Sequence, residues 1–238
     1  MLLSVWPAMS SAQPTPPVAP DVRDLPLTDQ LTKTPGKTFA ILLTGDGGFA
    51  TLDRGVSNEL VARGIPVVVF NTRPYLSRRG RTPDGTSADM IRLIRHYLSQ
   101  WSMDRVAIVG YSRGADMAPF IVSRLPVDLK GKIAVVAMLG LSTQVSYEFH
   151  FKDIFMESRR RSDIPTLPEL EKSRGMNLLC IYGADEKDSG CRDAEPGLMK
   201  EFVRNGGHHF DDNYKALGDI IVQSMGPAIS GGSERSPR

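Results

Sequence analysis

Short runs of consecutive apolar residues recur along the chain: TFAILLT (38–44), PVVVF (66–70), RVAIVG (105–110), KIAVVAML (132–139) and NLLCIYG (177–183). Runs of this length that are continuous, rather than alternating with polar residues, describe strands buried on both faces. Between them the spacing becomes helical. TLDRGVSNELVARG (51–64) puts Val56, Leu60 and Val61 on one stripe, and TSADMIRLIRHYLSQW (86–101) puts Met90, Ile91, Ile94, Tyr97, Leu98 and Trp101 on another. Alternating strands and helices predict an α/β domain: a doubly wound, mostly parallel sheet with helices on both faces. Ligands and chemistry in such sheets gather at the carboxyl ends of the strands.

Outside these elements the patterning fades. Residues 1–36 read as an export signal followed by a Pro-rich linker, 37–226 as one folded domain, and 227–238 as a disordered tail. The start, MLLSVWPAMSSAQPTPPVAP, has a short apolar run and a small-residue cleavage site but no positively charged n-region, as an export signal truncated at its start would. No later run approaches the ~20 apolar residues of a membrane span.

Charge narrows the partners. Lysine and arginine total 29 against 27 acids, a net +2, which offers no global footprint for nucleic acid. Two local basic clusters, SRRGR (77–81) and SRRRS (158–162), read first as solvated surface and second as contacts to anionic phospholipid. The segment 142–175, with YEFHFKDIFMESRRRS, reads as a short cap offering aromatic and arginine contacts to a bilayer. Two cysteines, Cys180 and Cys191, suit one disulfide in an oxidising compartment, and no Cys/His spacing implies a metal or other cofactor.

The candidate chemistry starts at GYSRG (110–114), a G-x-S-x-G pattern. The bare pattern is weak. Its setting, after the apolar run 105–110 and before the helical pattern ADMAPFIVSRL, is the strand–turn–helix elbow that exposes a nucleophilic serine, here Ser112. A serine hydroxyl needs a base to take its proton. Of the four histidines, His96 lies on the helical stretch 86–101 and reads as structural, and His150 has no assignable geometry. His208 and His209 sit in NGGHHFDDNY, expected between a helix ending near Asn205 and the last helix. His208 is the preferred base and His209 the alternative. The acid that orients the base is expected after LLCIYG, from Asp185, Glu186 or Asp188. Asp188 is preferred because a Cys180–Cys191 bridge would pin that loop and aim a residue near its tip. Nucleophile, acid and histidine then follow the chain order of α/β-hydrolases.

A tetrahedral oxyanion needs preplaced amide donors. Arg113 is expected to supply one, and Asp46 or Gly47, in the Gly-rich turn TGDGGFATLD (44–53), the other. The same turn lacks the G-K-[ST] ending of a phosphate loop and the G-x-G-x-x-G spacing of a dinucleotide site.

Four blocks taken together, LLTGDGGFATLD, GYSRGADMAPF, LLCIYGADEKDSGC and GGHHFDDNY, resemble the VirJ/AcvB family of bacterial periplasmic proteins. The resemblance implies an α/β-hydrolase fold, a periplasmic location, the triad of Ser112, His208 and an acid, and a substrate: the lysyl ester of the aminoacylated lipid lysyl-phosphatidylglycerol. Asp46 and Asp116 are then candidate carboxylates for the cationic lysyl group. A departure lies after VVVFN, where the chain reads TRPYLSRRGRTPDGTSADM instead of a more aromatic stretch. Two other readings stand beside the lipid esterase: a general small-ester or thioester hydrolase, and a non-catalytic binding module acting with secretion-system proteins.

Overall fold

The computed structural model describes residues 19–148 and 163–226. The expected signal, the tail, His150 and the basic run 158–162 lie outside the described residues.

Seven strands form one sheet in the order β1-β3-β2-β4-β5-β8-β9. The five apolar runs are β2 (Thr38–Leu43), β3 (Val67–Phe70), β4 (Arg105–Tyr111), β5 (Ile133–Leu139) and β8 (Leu178–Gly183), all parallel to their neighbours among these five. Their continuous apolarity has a direct cause. Phe39, Ile41 and Leu43 of β2 enter the core on one face, and Ala40 and Leu42 enter the core on the other. The first face is covered by α3 (Pro83–Gln100) and α4 (Arg113–Ser123), the second by α1 (Thr51–Ala62) and α7 (Tyr214–Ser224). Smaller helices are α2 (Thr72–Leu76), α5 (Val127–Lys130) and α6 (Leu167–Glu171). α3 starts three residues before the helical stripe because the Thr82 hydroxyl caps the Gly85 amide and Pro83 opens the first turn.

Two parts of the sequence reading are corrected. Residues 19–36, expected to be linker, are docked on the domain: β1 (Leu27–Gln30) pairs antiparallel with β3, and Val22 and Leu25 are buried. His96 Nδ1 lies 2.6 Å from the Pro20 carbonyl, and the Tyr97 hydroxyl donates to Asp29 at 2.6 Å. His96 therefore serves the structure. The helix expected to end near Asn205 is instead a strand, β9 (Lys200–Arg204), parallel to β8 at the sheet edge. Among the described residues nothing pairs with its outer edge, and Phe202 and Val203 are exposed, so no amphipathic alternation marks it in the sequence.

The segment expected to be a cap leaves the sheet after β5. Its stems pair as a small two-stranded ladder, β6 (Gln144–Val145) with β7 (Ile164–Pro165), and α6 follows. The part between, 149–162, lies outside the described residues.

Candidate active site

The elbow is built by two close backbone approaches. A Cβ on Gly110 would sit 2.4 Å from the Gly114 carbonyl oxygen, and one on Gly114 would sit 2.1 Å from that of Leu43. Only glycines let α4 pass the ends of β4 and β2 at this separation. Between them Ser112 has φ 52° and ψ −120°, a strained conformation for a residue with a side chain. It is held there by its amide, which donates to the Leu139 carbonyl at 2.9 Å, and by its carbonyl, which accepts from the Asp116 amide at 3.0 Å.

The turn after β2 faces this elbow, for a Cβ on Gly45 would meet the Ser112 Cβ at 3.4 Å. Asp53, buried in the first turn of α1, holds the turn from below by accepting from the amides of Gly45 and Ala50, both at 3.3 Å. Burial pushes the Asp53 carboxyl up to about 6, against the pull of those two amides. Among the described residues the amides of Asp46 and Gly47 make no hydrogen bond, and that of Arg113 is an open donor at the start of α4. Each is available to an oxyanion.

The loop that carries the expected base follows β9. Phe210, buried against the α1/α7 face, anchors it. Backbone bonds from Ala184 to Arg204 and from Asp185 to Gly206 tie it to the end of β8. His208 lies 34% exposed, its Nδ1 2.5 Å from Glu186 Oε1. His209 is exposed, with its Nδ1 3.2 Å from the Tyr111 hydroxyl.

The acid that meets His208 is Glu186, not the preferred Asp188. A tight turn after β8, closed by the Glu186 amide on the Gly183 carbonyl, folds the chain back. The longer glutamate side chain reaches across it, and its Oε2 accepts from the Gly183 amide at 2.6 Å. Asp185 and Asp188 are exposed, and neither carboxylate has a hydrogen-bonding partner among the described residues. Burial raises the Glu186 pKa, but the hydrogen bonds from His208 and Gly183 outweigh it and hold the carboxyl below the ordinary glutamate range. Glu186 is thus ionised and aimed at Nδ1, which fixes the imidazole orientation.

The Cys180–Cys191 bridge is present, with Cα atoms 5.8 Å apart and both residues buried. It staples the acid loop to the middle of β8, and the Gly190 amide adds a bond to the Leu141 carbonyl at 2.7 Å. Opening a short covalent loop of this kind costs about 3 kcal/mol. Thiol reductant is therefore expected to lower the unfolding temperature measured by calorimetry, and a Cys180→Ala/Cys191→Ala variant should be insensitive to it.

The two candidate substrate carboxylates differ in placement. Asp46 is partly exposed, and its Oδ2 takes the Arg113 Nη2 at 3.0 Å and Nε at 3.3 Å. The third guanidinium contact of Arg113, from Nη1, reaches the Ser146 carbonyl at 2.7 Å and joins the elbow to the cap stem. Asp116 is buried, with Oδ1 on the Ser142 amide at 2.7 Å, which places it beneath the surface instead of on it.

One close approach at the site has no mark in the sequence. Gly140, at the end of β5 with φ +66°, lies against His208: a Cβ there would stand 2.5 Å from His208 Cε1 and 2.8 Å from Nδ1. Gly140→Ala is expected to displace the ring by about an ångström and cut kcat on the order of 10²-fold. Steady-state kinetics beside a melting curve would separate this from unfolding. Among the described residues no group of three His, Cys, Asp or Glu side chains could hold a metal, and no helix is long and apolar enough to cross a membrane.

Comparison with known proteins places this geometry. The model of the VirJ family, described as bacterial virulence protein (VirJ), matches residues 37–228. No curated protein matches the chain. Among solved structures, proline iminopeptidase of Mycobacterium smegmatis is 10% identical, covering 84% of this chain and 94% of its own, with TM-score 0.58. The thioesterase domain from the curacin biosynthetic pathway is 14% identical, covering 82% and 94%, with TM-score 0.56. Est1E from Butyrivibrio proteoclasticus, solved with ferulic acid bound, is 10% identical, covering 87% and 98%, with TM-score 0.58. These likenesses establish the α/β-hydrolase fold.

Proposed function

The chain belongs to the VirJ family of bacterial virulence proteins, and from that premise we propose that it is an exported serine hydrolase of carboxylic esters, with the lysyl ester of lysyl-phosphatidylglycerol as its substrate. The observation that carries the reading is the ionised Glu186 on His208 Nδ1, at the same sheet edge as the Ser112 elbow.

In this reading His208 Nε2 takes the Ser112 proton while Oγ bonds to the ester carbonyl carbon. The amide of Arg113 and those of Asp46 and Gly47 receive the oxyanion. Collapse breaks the bond to the glycerol oxygen, which takes the proton from His208 and departs as phosphatidylglycerol. Water, deprotonated by the same imidazole, then bonds to the lysyl carbonyl carbon, the bond to Oγ breaks, Oγ takes the proton back from His208, and lysine leaves.

Two features favour a cationic acyl group on an anionic lipid. Asp46, in the turn that faces the elbow, presents a partly exposed carboxylate there, held by Arg113. Arg78 and Arg79 are exposed in the loop after α2, at the carboxyl end of β3 and so on the edge of the sheet that carries the site. The disulfide suits an oxidising compartment, in keeping with export to the periplasm.

The test is incubation of the purified protein with lysyl-phosphatidylglycerol vesicles and with aryl esters, beside a sample blocked by a fluorophosphonate, measuring released lysine and aryl alcohol. Lysine release that the block removes supports the proposal. Aryl ester cleavage without lysine release points to a general small-ester hydrolase. Absence of both, with no phosphonate attached to Ser112, leaves the non-catalytic binding module.

A further inference from the structure

Asp116 stands four residues after Ser112 on the nucleophile helix, in its first turn. A carboxylate there is favourable to the helix macrodipole while it remains in water. This one is 6% exposed. Burial pushes its carboxyl up to about 7, so its placement carries a desolvation cost that the macrodipole alone does not offset.

What the burial achieves is visible in the contacts of the segment 140–142. Ser142 donates its amide to Asp116 Oδ1 at 2.7 Å. The Ser142 carbonyl accepts from the Thr166 hydroxyl at 2.6 Å, on the cap stem. The Leu141 carbonyl accepts from Gly190, beside the disulfide in the acid loop, and the Gly140 amide donates to Ile181 of β8 at 2.8 Å. Gly140 itself forms the surface against which the base pair rests: its missing Cβ would be 2.5 Å from the His208 ring and 3.4 Å from Glu186 Oε1. This segment touches the base, the acid, the acid loop and the cap stem. Asp116 is its tie to the helix that carries the nucleophile.

We propose that Asp116 is a positioning residue: by holding the Ser142 amide it fixes the backbone under His208 and Glu186, and so sets the base against the Ser112 elbow. The inference rests on the serine-hydrolase reading and adds a residue to it. It also reassigns Asp116 from contact with the substrate's cation to alignment of the base.

The expected signature is a loss in kcat that the isosteric amide repairs. Asp116→Ala removes the acceptor and should lower kcat for an aryl ester about 10- to 100-fold with KM within about twofold. Asp116→Asn keeps Oδ1 and should return kcat to within about threefold of the parent. If Asp116→Ala does not fold, Asp116→Ser, too short to reach the Ser142 amide, takes its place. Hydrogen exchange read by mass spectrometry gives a measure independent of turnover. Peptides spanning 140–142 and 206–210 should exchange faster in the alanine or serine variant, and at parental rates in the asparagine variant.

An unchanged kcat in the alanine variant would overturn the proposal, as would equal kcat losses in the alanine and asparagine variants. A loss carried by KM would make Asp116 a substrate contact instead. Should the parent show neither turnover nor phosphonate labelling while the exchange pattern follows expectation, the hydrolase reading fails and the coupling of Asp116 to the loop stands.

Discussion

Ser112→Ala is expected to lower kcat for ester cleavage on the order of 10⁴- to 10⁶-fold, while the protein folds and melts within a few degrees of the parent. The contrast follows from how the elbow is held. Both hydrogen bonds that fix residue 112 are made by its backbone, to Leu139 and from Asp116, and alanine keeps them. The positive φ is equally strained for serine and alanine, so no strain is gained or relieved. Only the nucleophilic oxygen is lost. Ser112→Gly should be just as inactive yet more stable, by about 1 kcal/mol, because glycine adopts this φ without a Cβ clash. Stopped assays on purified variants, beside their melting curves, provide the check. Residual activity within tenfold of the parent would remove Ser112 from the chemistry.

That the elbow could be read ahead of the structure is a matter of local sterics. Gly110 and Gly114 are needed because backbone meets backbone, at positions fixed relative to Ser112, so the requirement is written in consecutive residues. The five inner strands were legible for a similar reason. A strand buried on both faces has apolar side chains throughout, as in β4, where Val106 and Ile108 face one helix layer and Ala107 and Val109 the other.

Edges have no such mark. LTDQ of β1 and KEFVR of β9 are largely solvent-facing, and pairing partners remote in sequence, Val67–Phe70 and Leu178–Gly183, decide their conformation. The docking of residues 19–26 is likewise set by distant groups on α3, Arg92 on Asp24 and His96 on Pro20. Gly140 was invisible for the same reason. Its importance is a contact with a ring 68 residues later, and nothing near LGLS announces it.

Of the three acids that the spacing after β8 leaves open, Glu186 is the one that meets His208, and its geometry makes the second large prediction. Glu186→Gln is expected to cut kcat about 10⁴-fold, roughly 5 kcal/mol of transition-state stabilisation, with Asp188→Ala within twofold of the parent. The carboxylate of Glu186 sits between two donors, the Gly183 amide on Oε2 at 2.6 Å and His208 Nδ1 on Oε1 at 2.5 Å. Glutamine has one acceptor oxygen. Turned to satisfy Gly183, it presents an NH₂ to His208 Nδ1, which must then accept, so the imidazole carries its proton on Nε2 and no longer serves as a base toward Ser112. Turned the other way, it sets NH₂ against the Gly183 amide and opens the turn that places residue 186. Either orientation disables the base, although the substitution is nearly isosteric. Glu186→Asp keeps the charge but withdraws it by a methylene, and should fall between parent and glutamine. The pH profile supplies a further check. Loss of the anion beside Nδ1 lowers the basicity of His208, so whatever activity remains in the glutamine variant should keep its acid limb at lower pH than the parent. A large loss in Asp188→Ala with a small one in Glu186→Gln would return the role to the tip of the disulfide loop.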